Sequence, residues 1–207
     1  MACVMLIFLW VHDEWQTDRF HAQGDRLIQV LENQTDQGDV RTTESTSGLL
    51  AETIKKDFPE VSLSTSVAPA KWFDSFTLVD DDDNKFKATG QFVGSDYPLM
   101  FSLPFILGSR EDALQRTDGV LLSEELATRM FGSPQGAMGN VIEWQLLHFR
   151  KDAIVTGIFR EPETPASTSF GFLLSYEQFK DINPSVLSWG NTGPNTYVLL
   201  NENTDAK

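Results

Sequence analysis

Short strand and helix patterns follow one another irregularly along this chain, and that irregular order limits the folds open to it. Alternating apolar and polar residues, or short runs of β-branched and aromatic residues, predict strands at 26–31, 61–67, 73–79, 86–93, 119–122, 141–147, 153–159, 170–175 and 197–200. A doubly wound parallel sheet needs a regular strand–helix–strand rhythm, which these positions do not keep. The sequence therefore predicts the α+β class.

Capping residues predict short helices between the strands. Ser47 can cap a helix over 48–57, and Ser123 can cap another that stops at Gly132. Further short helices are expected at 18–25, 97–101, 111–115 and 176–181. The polar stretch 33–43 is interpreted as a loop, because it holds Gly38 and Val40 is its one large apolar residue.

Cysteine content and charge exclude several classes of protein. Cys3 is the single cysteine, so no disulfide and no paired-cysteine metal or redox site can form within one chain. The net charge is −14, and such a field repels phosphate backbones, so no nucleic-acid partner is expected. A chain of 207 residues that is 41% hydrophobic can bury a core without disulfides.

The first residues form an apolar segment, 2–11, that ends at the acidic residues Asp13 and Glu14. It is too short to cross a bilayer, which takes about 20 apolar residues, and it lacks the basic start and the cleavage site of a signal peptide. Either it is a buried terminal element, or it is the outer end of a membrane helix that begins before this sequence. Trp10 and Trp15 at its polar boundary favour the second interpretation.

No catalytic, cofactor-binding or metal-binding residue is predicted, and the chain is not expected to be an enzyme. The four aspartates Asp80, Asp81, Asp82 and Asp83 are contiguous and lack the spacing and the glycine of a calcium loop. They are interpreted as the solvated tip of a hairpin, with cation binding left open. The histidines, His12, His21 and His148, are far apart, and the glycine-rich stretch 132–139 lacks the lysine of a phosphate-binding loop.

Several segments in order resemble one known family. The stretches 13–30, 49–61, 101–108, 120–132 and 153–159 are similar to successive elements of the MacB-like periplasmic core domain of FtsX-like ABC transporter permeases, in a variant of the Bacteroidetes type. The similarity spans residues 11–201. The turn at 133–140 departs from the family pattern, so its conformation is expected to differ.

The resemblance implies an architecture. It implies a porter-like α/β subdomain made from both chain ends, residues 12–70 and 150–207, with a smaller mixed subdomain, 71–149, inserted between them. Residues 1–11 would be the periplasmic end of the first transmembrane helix.

The resemblance also implies a non-catalytic role at the inner membrane, with this domain in the periplasm. The domain would couple helix motion, driven by a separate cytoplasmic ATPase, to substrate export or to a periplasmic partner. Other expected partners are a second permease copy and a periplasmic adaptor. The alternative functions are a free-standing extracytoplasmic module that binds a carbohydrate or peptide and a small hydrolase.

Overall fold

The polypeptide is built around one large mixed β-sheet. The structure, a computed structural model, describes residues 24–36, 39–161, 170–202 and 204. Its strands are β1 (Leu27–Val30), β2 (Glu32–Asp36), β3 (Asp39–Thr43), β4 (Ser45–Ser47), β5 (Val61–Ala68), β6 (Phe76–Val79), β7 (Lys85–Ala88), β8 (Gly90–Val93), β9 (Phe105–Leu107), β10 (Gly119–Ser123), β11 (Val141–Leu146), β12 (Phe149–Phe159), β13 (Phe172–Ser175) and β14 (Thr192–Leu200).

The helices are short and lie between the strands. They are α1 (Leu50–Asp57), α2 (Tyr97–Met100), α3 (Glu124–Phe131), α4 (Pro134–Ala137) and α5 (Tyr176–Ile182), with single 3₁₀ turns at Gly24–Arg26, Ala70–Trp72 and Pro184–Leu187. None of the described helices is long and apolar enough to cross a membrane. The apolar segment 2–11 and most of the predicted helix at 18–25 lie outside the described residues.

Twelve strands form the main sheet, in the order β1-β14-β5-β8-β13-β10-β12-β11-β6-β7, with β4 also paired to β14 and β9 to β12. Within that order β8 pairs β13 and β10 pairs β12 in parallel, while the other neighbours are antiparallel. This mixed sheet with few helices confirms the predicted α+β class. The division into subdomains at residues 70 and 150 stays a prediction.

The middle of the sheet is covered on both faces. Residues along β10 alternate between two apolar clusters: Val120 and Leu122 face one, while Leu121 faces the other. The first cluster contains Trp144 and Phe172 and is closed by side chains of α3 and α5. Because β10 and β13 are buried on both faces, each contains a continuous apolar run, Val120–Leu122 and Phe172–Leu174.

Local signals placed several elements correctly. The Ser123 side chain accepts a hydrogen bond from the Leu126 amide at 3.2 Å and caps α3, and Gly132 ends that helix in the left-handed conformation at φ 76°. The Asp80–Asn84 segment joins β6 and β7 as the predicted hairpin. Both predictions are confirmed. In each case the capping or turn residues recognised in the sequence are the ones that make the contacts.

Other local predictions were wrong. The expected loop at 33–43 is largely the β2–β3 hairpin, a two-stranded sheet separate from the main one. Its side chains are mostly exposed, so its sequence shows no alternation of apolar and polar residues. The expected helix at 111–115 is a series of turns. The helix expected from residue 48 begins at Leu50, and Ser47 bonds the Leu49 amide just before it.

We expect Gly90→Ala to destabilise the domain by about 1–3 kcal/mol, the usual cost of an overpacked core. A Cβ atom at Gly90 would lie 2.2 Å from the ring of Phe172, which pairs with Gly90 across β8 and β13 and is fully buried. Urea unfolding measures the change. The matched control is Gly190→Ala, where the nearest atom to the added Cβ is 3.9 Å away, and it should leave the midpoint unchanged. Equal midpoints for both variants would contradict this packing.

Candidate functional site at the paired chain ends

The two ends of the described chain are held together at one end of the sheet. Leu27 at the start of β1 pairs with Leu199 near the end of β14. The Arg26 guanidinium donates a hydrogen bond to the Leu200 carbonyl at 3.0 Å and lies 4.0 Å from the Glu202 carboxylate. The chain therefore enters and leaves the sheet on adjacent strands.

Asn201 fastens the outgoing chain to the start of β5. Its backbone amide donates to the Glu60 carbonyl at 2.8 Å, and its side-chain amide donates to the Pro59 carbonyl at 2.7 Å. We call Arg26, Pro59, Glu60 and Leu200–Glu202 the terminal clamp. It unites three chain segments through bonds to backbone carbonyls, so its geometry is fixed by the main chain.

Three partly exposed apolar side chains lie on segments near the other end of β14. Strand β14 has nine residues, so Thr192 and Leu200 are separated by roughly 27 Å at the usual rise of an extended strand. Trp72, Leu187 and Trp189, which are 40–56% exposed, lie on segments that meet at the start of this strand. The Trp72 ring lies against Gly193, and Ser47, which pairs with Thr192, bonds the Ser188 carbonyl. We call these three side chains the apolar pole.

Helix α1 packs beside β5 and β14, and its first polar tie is to the turn before α2. The Lys55 ammonium lies 2.5 Å from the Asp96 carboxylate, which is largely buried and also accepts a hydrogen bond from the Ser64 amide at 3.2 Å. The Ser64 hydroxyl donates to the Ala51 carbonyl at 2.7 Å. These bonds fix α1 against β5.

Lys180 of α5 makes the second tie. Its ammonium pairs with Glu52 of α1 at 2.5 Å and with Glu177 at 2.8 Å, and it lies 5.7 Å from the centre of the Tyr176 ring. Burial by itself would lower the pKa of Lys180, but the hydrogen bonds to Glu177 and Glu52 outweigh it and raise the pKa above its ordinary range. The lysine therefore stays charged at neutral pH and holds α1 to α5.

The acidic loop is organised around Asp80. Its carboxylate accepts hydrogen bonds from the Asp82 amide at 3.0 Å, from the Asn84 amide at 2.9 Å and from the Asn84 side chain at 3.0 Å. Slight burial would raise the pKa of Asp80, but the bonds from Asn84 and Asp82 outweigh it and hold the pKa below its ordinary range. Across the described ranges, no group of three or more His, Cys, Asp or Glu residues is placed to hold a metal ion.

Other residues singled out in the sequence lie apart from one another. His148 is exposed in the turn between β11 and β12, whereas His12 and His21 fall outside the described residues. The glycine-rich stretch 132–139 forms α4 and the turns around it.

The two ends of the described chain leave one edge of the mixed sheet side by side. Over residues 1–207 the chain matches the MacB-like periplasmic core domain, and it belongs to that family. The family consists of periplasmic domains of ABC transporter permeases, which work with a cytoplasmic ATPase. No curated protein matches the chain.

Solved structures share the fold at low sequence identity. A domain of a protein described as a permease from Porphyromonas gingivalis superposes with a TM-score of 0.73 at 21% identity, over 90% of this chain and 78% of that one. The periplasmic region of MacB from Actinobacillus actinomycetemcomitans gives 0.60 at 16% identity, over 91% and 80% of the two chains. The extracellular domain of the noncanonic ABC-type transporter YknZ from Gram-positive bacteria gives 0.53 at 16%, over 86% and 84%.

Sequence reasoning missed the terminal clamp. Arg26 and Asn201 bond carbonyls that lie 174 and 142 residues away, and any residue type supplies a carbonyl, so no motif marks the contact. The apolar pole was missed for a related reason, since Trp72 and Trp189 meet only through the start of β14. An arginine at the first position of the first predicted strand, 26–31, was the available signal.

We expect Lys180→Met to lower the stability of the domain by about 1 kcal/mol at neutral pH. The variant removes the partly buried ammonium group that pairs with two exposed carboxylates, those of Glu52 and Glu177. A raised folded-state pKa means that the stabilisation is complete below the ordinary lysine pKa of about 10.4 and is lost as the pH rises through the folded value. The difference between wild type and variant in urea midpoint should therefore be constant at neutral pH and shrink in strong alkali.

The matched control for this prediction is Lys56→Met, a change of the same charge at an exposed position of α1. It should leave the urea midpoint unchanged at every pH. A loss of stability equal to that of Lys180→Met would show that net charge, and not the tie between α1 and α5, is responsible.

Proposed function

We propose that this domain passes movement of the permease's transmembrane helices, driven by ATP hydrolysis on a cytoplasmic ATPase, to a substrate or partner in the periplasm. Its place is the outer side of the inner membrane, and its role is mechanical and not catalytic. A second permease copy and a periplasmic adaptor are the partners that this role requires most directly.

The terminal clamp is the observation that carries the proposal. Because β1 and β14 are adjacent and antiparallel, segments attached to the two ends would act on the same edge of the sheet. A displacement applied there is carried along β14, which is hydrogen-bonded to β5 on one side and to β1 and β4 on the other. Paired strands resist stretching and shear together, so a pull at Leu200 reaches Thr192.

The apolar pole is where this displacement would be delivered. Exposed tryptophan and leucine side chains are typical of contact surfaces, because they offer large apolar area at a small cost in conformational entropy. Trp72, Leu187 and Trp189 lie at the far end of the strand that the clamp holds. The proposed path therefore runs from the clamp through β14 to this surface.

Loosening the clamp tests the proposed path. In the full-length permease assembled with its ATPase, we expect ATP to change hydrogen–deuterium exchange in residues 184–192 in the wild type. The double variant Arg26→Ala/Asn201→Ala should reduce that nucleotide-dependent change at least roughly fivefold, as each lost hydrogen bond contributes about 1 kcal/mol. ATP hydrolysis itself should continue.

The control variant Arg41→Ala removes an exposed arginine from the β2–β3 hairpin and should leave the exchange response intact. Two results would contradict the proposal. One is exchange in residues 184–192 that ignores the nucleotide in the wild type. The other is a response that survives unchanged when the clamp is loosened.

A further inference from the structure

The β2–β3 hairpin is inserted into an edge strand of the main sheet. Strand β1 ends where Val30 pairs with Thr196 of β14. Strand β4 begins where Ser45 pairs with Asn195, the residue next to Thr196. Residues 31–44 separate Val30 from Ser45 in the sequence, yet the pairing with β14 continues as if they were absent. Strands β1 and β4 are therefore two halves of one edge strand, interrupted by the hairpin.

The inserted hairpin adds little to the core of the domain. Its two strands pair only with each other and form a sheet of their own. The side chains in the middle of both strands are exposed, namely those of Gln34, Thr35, Val40 and Arg41. A two-stranded hairpin that is not packed against other elements is at best marginally stable in water. Its use therefore lies in contact with another molecule.

One face of the hairpin carries no charge. Directly paired residues point to the same face of a sheet, so Asn33 and Thr42 share a face with Thr35 and Val40. The Thr42 hydroxyl donates a hydrogen bond to the Asn33 side-chain oxygen at 2.8 Å across the two strands. All four residues are exposed, and the Val40 side chain is 66% exposed. We call these four side chains the uncharged face.

Charged residues lie on the opposite face of the hairpin. Glu32, Asp39 and Arg41 alternate along the strands with members of the uncharged face and therefore point the other way. On that side the Gln34 side chain donates a hydrogen bond to the Glu32 carboxylate at 3.2 Å. The hairpin thus keeps one neutral side in a chain whose net charge is −14.

We propose that the uncharged face binds the same face of a second copy of this domain within the permease assembly. Two copies that each carry a net charge of −14 repel one another. In a two-fold contact each residue near the axis meets its own copy, so a charged residue there would face a like charge. The uncharged face avoids this repulsion, whereas a cationic partner would be matched better by the acidic residues of the opposite face.

The size of the face limits where this contact can form. Strand β2 has five residues, so the face is roughly 17 Å long and covers roughly 200 Å². Each partner of a stable complex usually buries about 800 Å². The contact therefore needs copies that are already held close together, where a high effective concentration compensates for a small area. In this respect the inference rests on the proposed function, which places a second permease copy among the partners.

Disulfide cross-linking in membranes tests the contact in the full-length permease. All native cysteines, Cys3 included, are first replaced by serine. Thr35→Cys, Val40→Cys and Thr42→Cys are then introduced one at a time, and the membranes are oxidised with copper phenanthroline. We expect at least one of the three variants to form a disulfide-linked permease dimer. A disulfide needs Cβ atoms about 4 Å apart, which two copies of one residue reach only near the axis.

The matched controls are Gln34→Cys and Arg41→Cys. They are sequence neighbours of Thr35 and Val40 and are equally classed as exposed, but they lie on the opposite face. They should form no dimer. Absence of a dimer in all three variants of the uncharged face overturns the proposal. Equal dimer formation from both faces also overturns it, since random collision would then explain the cross-link, and so does a cross-link to a different protein.

A deletion tests whether the hairpin is an insertion. Removal of residues 31–44 joins Val30 to Ser45 in the register that β14 already imposes, so the urea midpoint of the shortened chain should equal that of the wild type. Removal of residues 31–43 leaves Glu44 as one extra residue in the edge strand, which breaks the alternation of faces and should lower the midpoint.

A midpoint that falls equally in both deletions would show that the hairpin serves the fold, and this too would overturn the proposal. Neither the cross-links nor the deletions measure the nucleotide-dependent exchange of residues 184–192. Failure of the dimer contact therefore leaves the coupling role standing, and failure of the coupling role leaves the cross-links to be judged by themselves.

Discussion

Strand β14 is the constraint on which the rest of this domain depends. It is hydrogen-bonded along both edges, to β5 on one side and to β1 and β4 on the other. The Thr46 hydroxyl, fully buried, bonds the Pro194 carbonyl and the Thr196 hydroxyl at 2.9 and 2.7 Å and fixes the start of the strand. Without β14, neither β1 nor β4 would have a partner in the sheet, and the clamp would have no second half. Both ends of the proposed force path are thus set by one uninterrupted strand.

The elements that could be predicted from the sequence are those whose cause is local. Helix α3 is bounded by its own Ser123 and Gly132, and the β6–β7 hairpin by the turn residues between its strands. The β2–β3 hairpin escaped prediction because its stability comes from backbone pairing between polar strands exposed on both sides. Apolar and polar residues alternate along a strand when one of its faces is buried. A strand with both faces exposed shows no such alternation.

The candidate site was less predictable than the fold. Family resemblance indicated that the chain ends should lie together, and 26 and 200 do so. The residues that hold the ends together could not be predicted, because a side chain that bonds a distant backbone carbonyl forms no motif in the sequence. The strand predicted at 141–147 ends at Leu146, because the register places Leu147 in the turn before β12.

The pairing of Arg26 with Leu200 also has an evolutionary and engineering consequence. The incoming and outgoing strands of this domain are neighbours, about 5 Å apart. Such a domain can be added to, or removed from, a loop of another protein without changing the distance between the two ends of that loop. The host helices need not move apart to accept it. A circular permutation follows from the same geometry. Joining the old ends across the clamp and opening new ends at the exposed Asp81–Asp82 turn would preserve every strand pairing described above.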